Sequence, residues 1–292
     1  MAGRVRPWRR GPRLSEHAVP RRVRPGQTVT GLGAALVRFL VLLLLSTIAL
    51  QLFFLSRVAL MVVVDPQSTS FQRSEIWRLA VETHAVLWSQ QWRPSARLGE
   101  PLKRAVIASE DARFADHTGV EWDALESAWE RNQRAQARAD RLNEQAQRHG
   151  AGPNAKPAPT ERPRTRPAPV KVVGGSTITQ QLAKNLFLSS ERNFVRKGQE
   201  FVITLMLETL LGKRRILEIY LNSVEWGEGV FGAQAAARHY FHVDADQLAP
   251  MQAARLAVML PAPKRFEKRP ASPYVLDRAA TVAARMPEVE LP

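Results

Sequence analysis

Residues 174–185 read Gly-Gly-Ser-Thr-Ile-Thr-Gln-Gln-Leu-Ala-Lys-Asn. Two glycines free the backbone ahead of a helix, and Thr177 with Gln180 has the spacing of a capping box. Along that helix Thr177, Gln181 and Lys184 fall at i, i+4 and i+7 on one face, while Ile178, Leu182 and Leu186 fall on another. A row of hydroxyl, amide and ammonium beginning at a helix amino terminus suits an anion such as a phosphate. The same spacing also describes an ordinary amphipathic helix with a wet side, and spacing alone leaves both readings open.

Three further clusters flank this helix. Upstream, Glu110-Asp111-Ala-Arg-Phe114-Ala-Asp-His117-Thr-Gly119 follows the apolar run Ala105-Val-Ile-Ala-Ser109. Burial beside such a run raises a carboxyl pKa towards that of a general base, although an acidic pair at a helix end also serves as a solvated cap. Downstream, Arg196-Lys197-Gly-Gln-Glu200 sets Arg196 and Glu200 at i and i+4, in the weaker order against the helix dipole. A surface ion pair is the plainer account of that spacing. The fourth cluster runs from Lys213 through Ile216, Glu218 and Tyr220 to Asn222, followed by Glu225-Trp226-Gly227 and Gly229-Val-Phe231-Gly232.

Elsewhere the apolar periodicity is helical. Trp122, Leu125 and Trp129 recur at i, i+3 and i+7. Phe201, Val202, Leu205, Met206 and Leu210 line one side of another helix, and Leu248–Leu260 reads as an Ala-rich one. Few runs alternate as strands do, so the expected fold class is mainly α.

Taken together, the clusters resemble the motifs of glycosyltransferase family 51, the peptidoglycan glycosyltransferases: E-D-x-x-F-x-x-H-x-G, G-G-S-T-I-x-Q-Q-x-x-K-N, R-K-x-x-E and K-x-x-I-L-E-x-Y-L-N. All four occur in the family's order, and the resemblance covers about residues 95–270. It implies a lysozyme-like, two-lobed glycosyltransferase domain that polymerises lipid II into glycan strands. By the resemblance Glu110 matches the catalytic base, and Glu200 the second acid beside the pyrophosphate leaving group. Gln181, Lys184, Arg196 and Lys197 match residues lining the pyrophosphate site, and Asp111, Phe114, His117 and Thr177 match further residues of the cleft. Mg²⁺ or Mn²⁺ bridging the pyrophosphate is an expected helper, with no all-protein metal cage visible; His239 and His242 read as surface residues. No Ser-x-x-Lys occurs in the chain, so the acylating serine of a transpeptidase domain is missing.

The amino-terminal region supplies an anchor. Phe39–Ser56 carries no charge across 18 residues, and Gly31–Val64 is apolar apart from Arg38 and Arg57. About 20 residues cross a bilayer core, and the flanking arginines can snorkel to the headgroups. A single transmembrane helix region at 31–64 is therefore expected, preceded by a basic tail at 1–30 and followed by a glycosyltransferase domain at 70–292. Arginine before the span and only Asp65 charged within 58–72 put the amino terminus in the cytoplasm. With the resemblance, this implies a bacterial inner membrane and a periplasmic catalytic domain.

The net charge of +15 in 292 residues looks at first like a nucleic-acid signal, but its distribution argues against one. Residues 1–30 hold eight Arg and one Glu; residues 131–171 hold eight Arg, two Lys and three acids, so the rest is nearly neutral. No nucleic-acid partner is expected. Six prolines between Pro153 and Pro169 mark 131–171 as a basic, largely disordered insertion, expected to meet anionic lipid or a divisome partner. Cysteine is absent, which excludes disulfides and thiolate metal sites. The rivals are a lysozyme-type hydrolase of the same fold class and a catalytically dead cell-wall scaffold.

Overall fold

The computed structural model describes residues 30–122, 126–127, 130, 133–139, 141, 175–188 and 193–292. The basic tail expected at 1–30 and most of the insertion expected at 131–171 lie outside them, as do Leu125 and Trp129. Residues 133–139 are helical, with Arg134 Nη2 bonded to Glu130 Oε2 at 2.8 Å.

Helix α1 spans Thr30–Leu60. Its stretch Gly33–Leu60 has a mean hydropathy of 2.4 and is long and apolar enough to cross a bilayer. The chain divides into two compact units, Met1–Gln51 and Leu52–Pro292. In the first, the large apolar side chains from Leu36 to Leu50 are exposed, as a lipid-facing helix requires and a soluble core helix does not. In the second, Phe54, Val58 and Met61 are buried, and the Phe54 ring meets Phe187 edge-on at 5.4 Å. Arg215 secures the exit of α1: Nε donates to the Met61 carbonyl at 3.0 Å and Nη2 to Asp65 at 2.7 Å, while Nη1 holds Glu218 at 2.7 Å.

The fold is mainly α. Helix α2 (Ser70–Arg78) starts at a capping box made by Thr69 and Gln72. Helix α3 (Glu100–Glu110) buries Leu102, Ala105, Val106 and Ile107. It packs on α8 (Pro250–Met259) and α10 (Pro273–Arg285). The facing Ala253, Ala254, Ala257 and Ala279 are fully buried, and their small side chains let the three backbones approach closely. A second group sets α4 (Ile178–Phe187) against α5 (Phe194–Leu210) and α6 (Lys213–Ser223), with α2 also on α4. Helices α7 (Ala233–Phe241) and α9 (Pro263–Phe266) complete the body.

A small sheet joins β1 (Ser89–Gln90), β2 (Glu225–Gly227) and β3 (Val230–Phe231) in the order β1-β3-β2. Strand β1 runs parallel to β3, with Ser89 opposite Val230. Strand β2 runs antiparallel, with a register shift between Glu225 and Gly227. The turn between β2 and β3 needs Gly229: φ is +72°, and a Cβ there would lie 2.0 Å from the Leu87 carbonyl oxygen.

Helix α5 departs from the sequence reading. Its buried side carries Glu200, Ile203, Thr204 and Leu207. Of the residues read as lining one side of the helix, Met206 packs against the core, whereas Phe201, Val202, Leu205 and Leu210 are exposed, and so are Phe194 and Val195. Periodicity finds an apolar face but not which face a neighbour covers, and here a polar pair, Glu200 and Thr204, turns inward.

Candidate active site

Glu110 is the last residue of α3, where the helix stops and its carboxylate meets α4. Gln181 Nε2 donates to Glu110 Oε2 at 2.9 Å. The Gln181 amide is in turn fixed by the fully buried Tyr220, whose hydroxyl donates to Gln181 Oε1 at 3.0 Å. That bond settles which way the amide points, so its NH₂ faces the carboxylate. Burial pushes the Glu110 carboxyl above its ordinary value; bonds from Gln181 and Ser109 pull it back, and the charge of Asp111 raises it again. Burial, then Glu110 and Asp111, also drive the Tyr220 phenol well above its usual range, so it stays a donor. The result is a carboxylate held by neutral donors only, a half-buried base with no cation bonded to it.

Asp111, Phe114, His117 and Thr177 build the loop around Glu110. Asp111 is buried; its Oδ2 accepts the Ile178 N–H at 3.0 Å and so satisfies a free donor at the start of α4. Its Oδ1 lies 2.8 Å from His117 Nε2, while His117 Nδ1 accepts the Gly119 N–H at 3.1 Å. The second bond assigns the lone pair to Nδ1 and the proton to Nε2. Thr177 is the N-cap of α4 in a capping box with Gln180, and its hydroxyl donates to the Gly119 carbonyl at 2.7 Å. Phe114 is fully buried under Lys213, whose Nζ lies 4.5 Å from the ring centroid. Gly119 has φ +87°, and a Cβ there would lie 2.7 Å from Thr204 Cγ2 and 2.8 Å from Glu208 Cγ. These residues shape the loop, and none of them lines the cleft described next.

A cleft of about 410 Å³ opens beside Gln181. It takes Lys184 from α4 and Arg196, Lys197 and Glu200 from α5, and also Ser176, Asn185 and Glu225, three polar residues that the sequence reading did not assign to a site. Glu200 is 3% exposed, so the Arg196–Glu200 spacing is a buried pair and not a surface one. Arg196 Nη1 bonds Glu200 Oε2 at 2.8 Å, and Lys197 Nζ bonds Glu200 Oε1. One carboxylate thus holds two cations at the cleft, leaving a net positive charge. Arg196 Nε is buried with no hydrogen-bond partner, an arrangement a bound oxyanion would complete.

The sequence reading placed Tyr220 in the fourth cluster without giving it a role, and its polar part in the site was missed. The signal lay in its place between Glu218 and Asn222 in the fourth cluster. Asn222 also works through its side chain, clamping the chain after β1: Oδ1 accepts the Arg93 N–H and Nδ2 donates to the Arg93 carbonyl, each at 2.8 Å. Among the described residues no group of three or more His, Cys, Asp or Glu is placed to hold a metal ion.

Comparison with known proteins adds an independent line. A family model described as "Transglycosylase" matches residues 81–144 and 166–287. A "Biosynthetic peptidoglycan transglycosylase" of Burkholderia thailandensis is 48% identical over 245 residues, covering 84% of this chain and 83% of the relative. One of the same description from Burkholderia pseudomallei is also 48% identical with the same coverage. A third, from Paraburkholderia xenovorans, is 46% identical over 84% of this chain and 88% of its own length.

Proposed function

The chain belongs to the transglycosylase family and polymerises peptidoglycan glycan strands, and from that premise we propose which residues carry the reaction and where it takes place. The substrate is lipid II, a disaccharide on a polyprenyl pyrophosphate. Glu110 takes the proton from the 4-hydroxyl of the acceptor sugar as that oxygen forms a bond to C1 of the donor. The bond from C1 to the pyrophosphate oxygen breaks in the same displacement, inverting the anomeric centre and leaving polyprenyl pyrophosphate. Lys184, Arg196 and Lys197 offset the charge that develops on the leaving group, and Glu200 holds the last two in place. Pyrophosphate is a good leaving group already, so one base and a cationic cradle replace the two carboxyl groups a glycosidase needs.

The observation that carries this reading is the orphaned Arg196 Nε in a cleft that also holds Lys184, Lys197 and the Gln181 amide bonded to Glu110. A divalent cation fits less well: both oxygens of Glu200 are already bonded to Arg196 and Lys197. Mg²⁺ or Mn²⁺ would therefore be held mainly by substrate oxygens, and no step above depends on it.

The proposed location is a bacterial inner membrane crossed once by α1, with the amino terminus cytoplasmic and the catalytic body periplasmic. The exposed Phe194, Val195, Phe201, Val202 and Leu205 support a body that rests on lipid, because so much clustered apolar surface is unusual facing water. The segment 131–171 remains the proposed contact for anionic headgroups or a divisome protein.

The test is polymerisation of labelled lipid II by the detergent-solubilised full chain beside Glu110→Gln. Polymer from the parent and none from the variant is the expected result. A folded parent that makes no polymer would sink the assignment, and release of short sugars from finished wall would replace it with a hydrolase.

A further inference from the structure

The cleft holds one carboxyl group that the reaction above does not use. Glu225 opens β2, is 5% exposed, and lines the same cleft as Gln181, Lys184 and Arg196. Its Oε1 is buried at the cleft wall and has no hydrogen-bond partner. The nearest cation is Lys264 Nζ at 3.6 Å, beyond hydrogen-bond range. Lys264 Nζ donates to Glu75 Oε2 at 2.5 Å and so pairs with Glu225 through charge at the longer distance.

Other charges surround the group. Helix α2 contributes Glu75 and Arg78, which are bonded to each other at 2.9 Å, and Arg78 also holds Glu228. Lys264 comes from α9, and Glu267 just beyond it accepts the Glu228 N–H. Tyr240 donates its hydroxyl to the Trp226 carbonyl. Across the cleft stand Lys184, Arg196, Lys197 and Glu200. Burial raises the Glu225 carboxyl, the Lys264 charge restrains it, and Glu75 raises it again, leaving it pushed up to about 7.

We propose that Glu225 recognises substrate as a neutral carboxylic acid, donating a hydrogen bond from its orphaned oxygen to an acceptor oxygen of the anionic saccharide held against Lys184 and Arg196. A buried polar atom without a partner is costly, and a ligand oxygen at the cleft wall removes that cost. An ionised Glu225 would instead face the negative charge of the ligand in a confined, poorly screened space. Binding therefore takes up a proton wherever Glu225 is ionised in the free protein, and affinity falls as pH rises through 7. The identity of the saccharide rests on the transferase reading; the proton coupling does not.

The experiment measures binding of fluorescent lipid II by anisotropy from pH 6 to pH 8.5. It uses the full-length, detergent-solubilised chain carrying Glu110→Gln, which removes the titration of Glu110 from the profile. Affinity should drop about tenfold per pH unit above 7. Adding Glu225→Gln should flatten the profile and give tighter binding than the parent at pH 8.5, whereas Glu225→Ala should also flatten it but weaken binding at pH 6, where the parent keeps its proton. An unchanged pH slope in the Glu225→Gln protein, or weaker binding than the parent at pH 8.5, would overturn the proposal. Polymerisation by the wild-type chain is followed in parallel: its failure removes the transferase reading, while the binding profile judges Glu225.

Discussion

Glu110 at the end of α3 and Glu200 in the second turn of α5 are the same side chain in opposite surroundings. Glu200 is buried between two cations, with Arg196 at 2.8 Å and Lys197 on its other oxygen. Glu110 has only a neutral amide, Gln181, at 2.9 Å, and burial pushes its pKa up. A carboxylate whose charge is already balanced is a poor base and a good strut. One with no cation bonded to it is poised to take a proton. Environment, and not residue type, separates the two roles.

The sharpest way to break that comparison is Glu110→Gln. Loss of a general base should lower kcat by about 10²–10⁴-fold, measured on labelled lipid II. The melting temperature should hold or rise, because the substitution removes a buried charge with no cation to balance it. A base placed elsewhere would leave kcat near the parent value.

Glu200→Gln should act in the other direction on stability. It strands Arg196 beside an uncharged partner, and breaking such a pair costs about 2–3 kcal/mol once the half-exposed Lys197 is discounted for solvent screening. Urea unfolding of the detergent-solubilised protein would show the loss as a lower midpoint. An unchanged midpoint would mean that the two carboxylates are less different than their neighbours imply.

A smaller effect is expected for Tyr220→Phe, which removes one hydrogen bond and leaves the Gln181 amide free to turn. At about 1 kcal/mol, kcat should fall about fivefold with KM little changed. Equal kcat values for variant and parent would remove Tyr220 from the relay.

The smallest effect lies in the pH profile. Glu110 must be ionised to act, so the acid limb of kcat should lie above the ordinary glutamate value of 4.5. The Gln181 bond favours the ionised form, so Tyr220→Phe, by loosening it, should move that limb further up. A limb that moves down would show that Gln181 favours the neutral acid.

Several features were legible in the chain before any fold was known. The capping box of Thr177 and Gln180, the apolar run of α1 and the pairing of Arg196 with Glu200 all appear as their spacing indicates. Each is settled within a few residues, by backbone geometry or by hydropathy, so local sequence suffices. The resemblance named Asp111, Phe114, His117 and Thr177 as cleft residues, and the fold shows what the sequence did not, the bonds that tie Asp111 to His117 and to the start of α4, and Thr177 to Gly119.

What only the tertiary structure decided is the company each carboxylate keeps. Gln181 reaches Glu110 across 71 positions of the chain, and Tyr220 reaches Gln181 across 39. The setting of Glu225 likewise depends on α9, which brings Lys264 to 3.6 Å from its orphaned oxygen. The sequence by itself determined which helices form, where they start and which residues carry charge, because those outcomes depend on neighbours within a turn or two. Packing decided which of those charges is balanced, since desolvation and pairing depend on atoms that meet only when distant helices pack together.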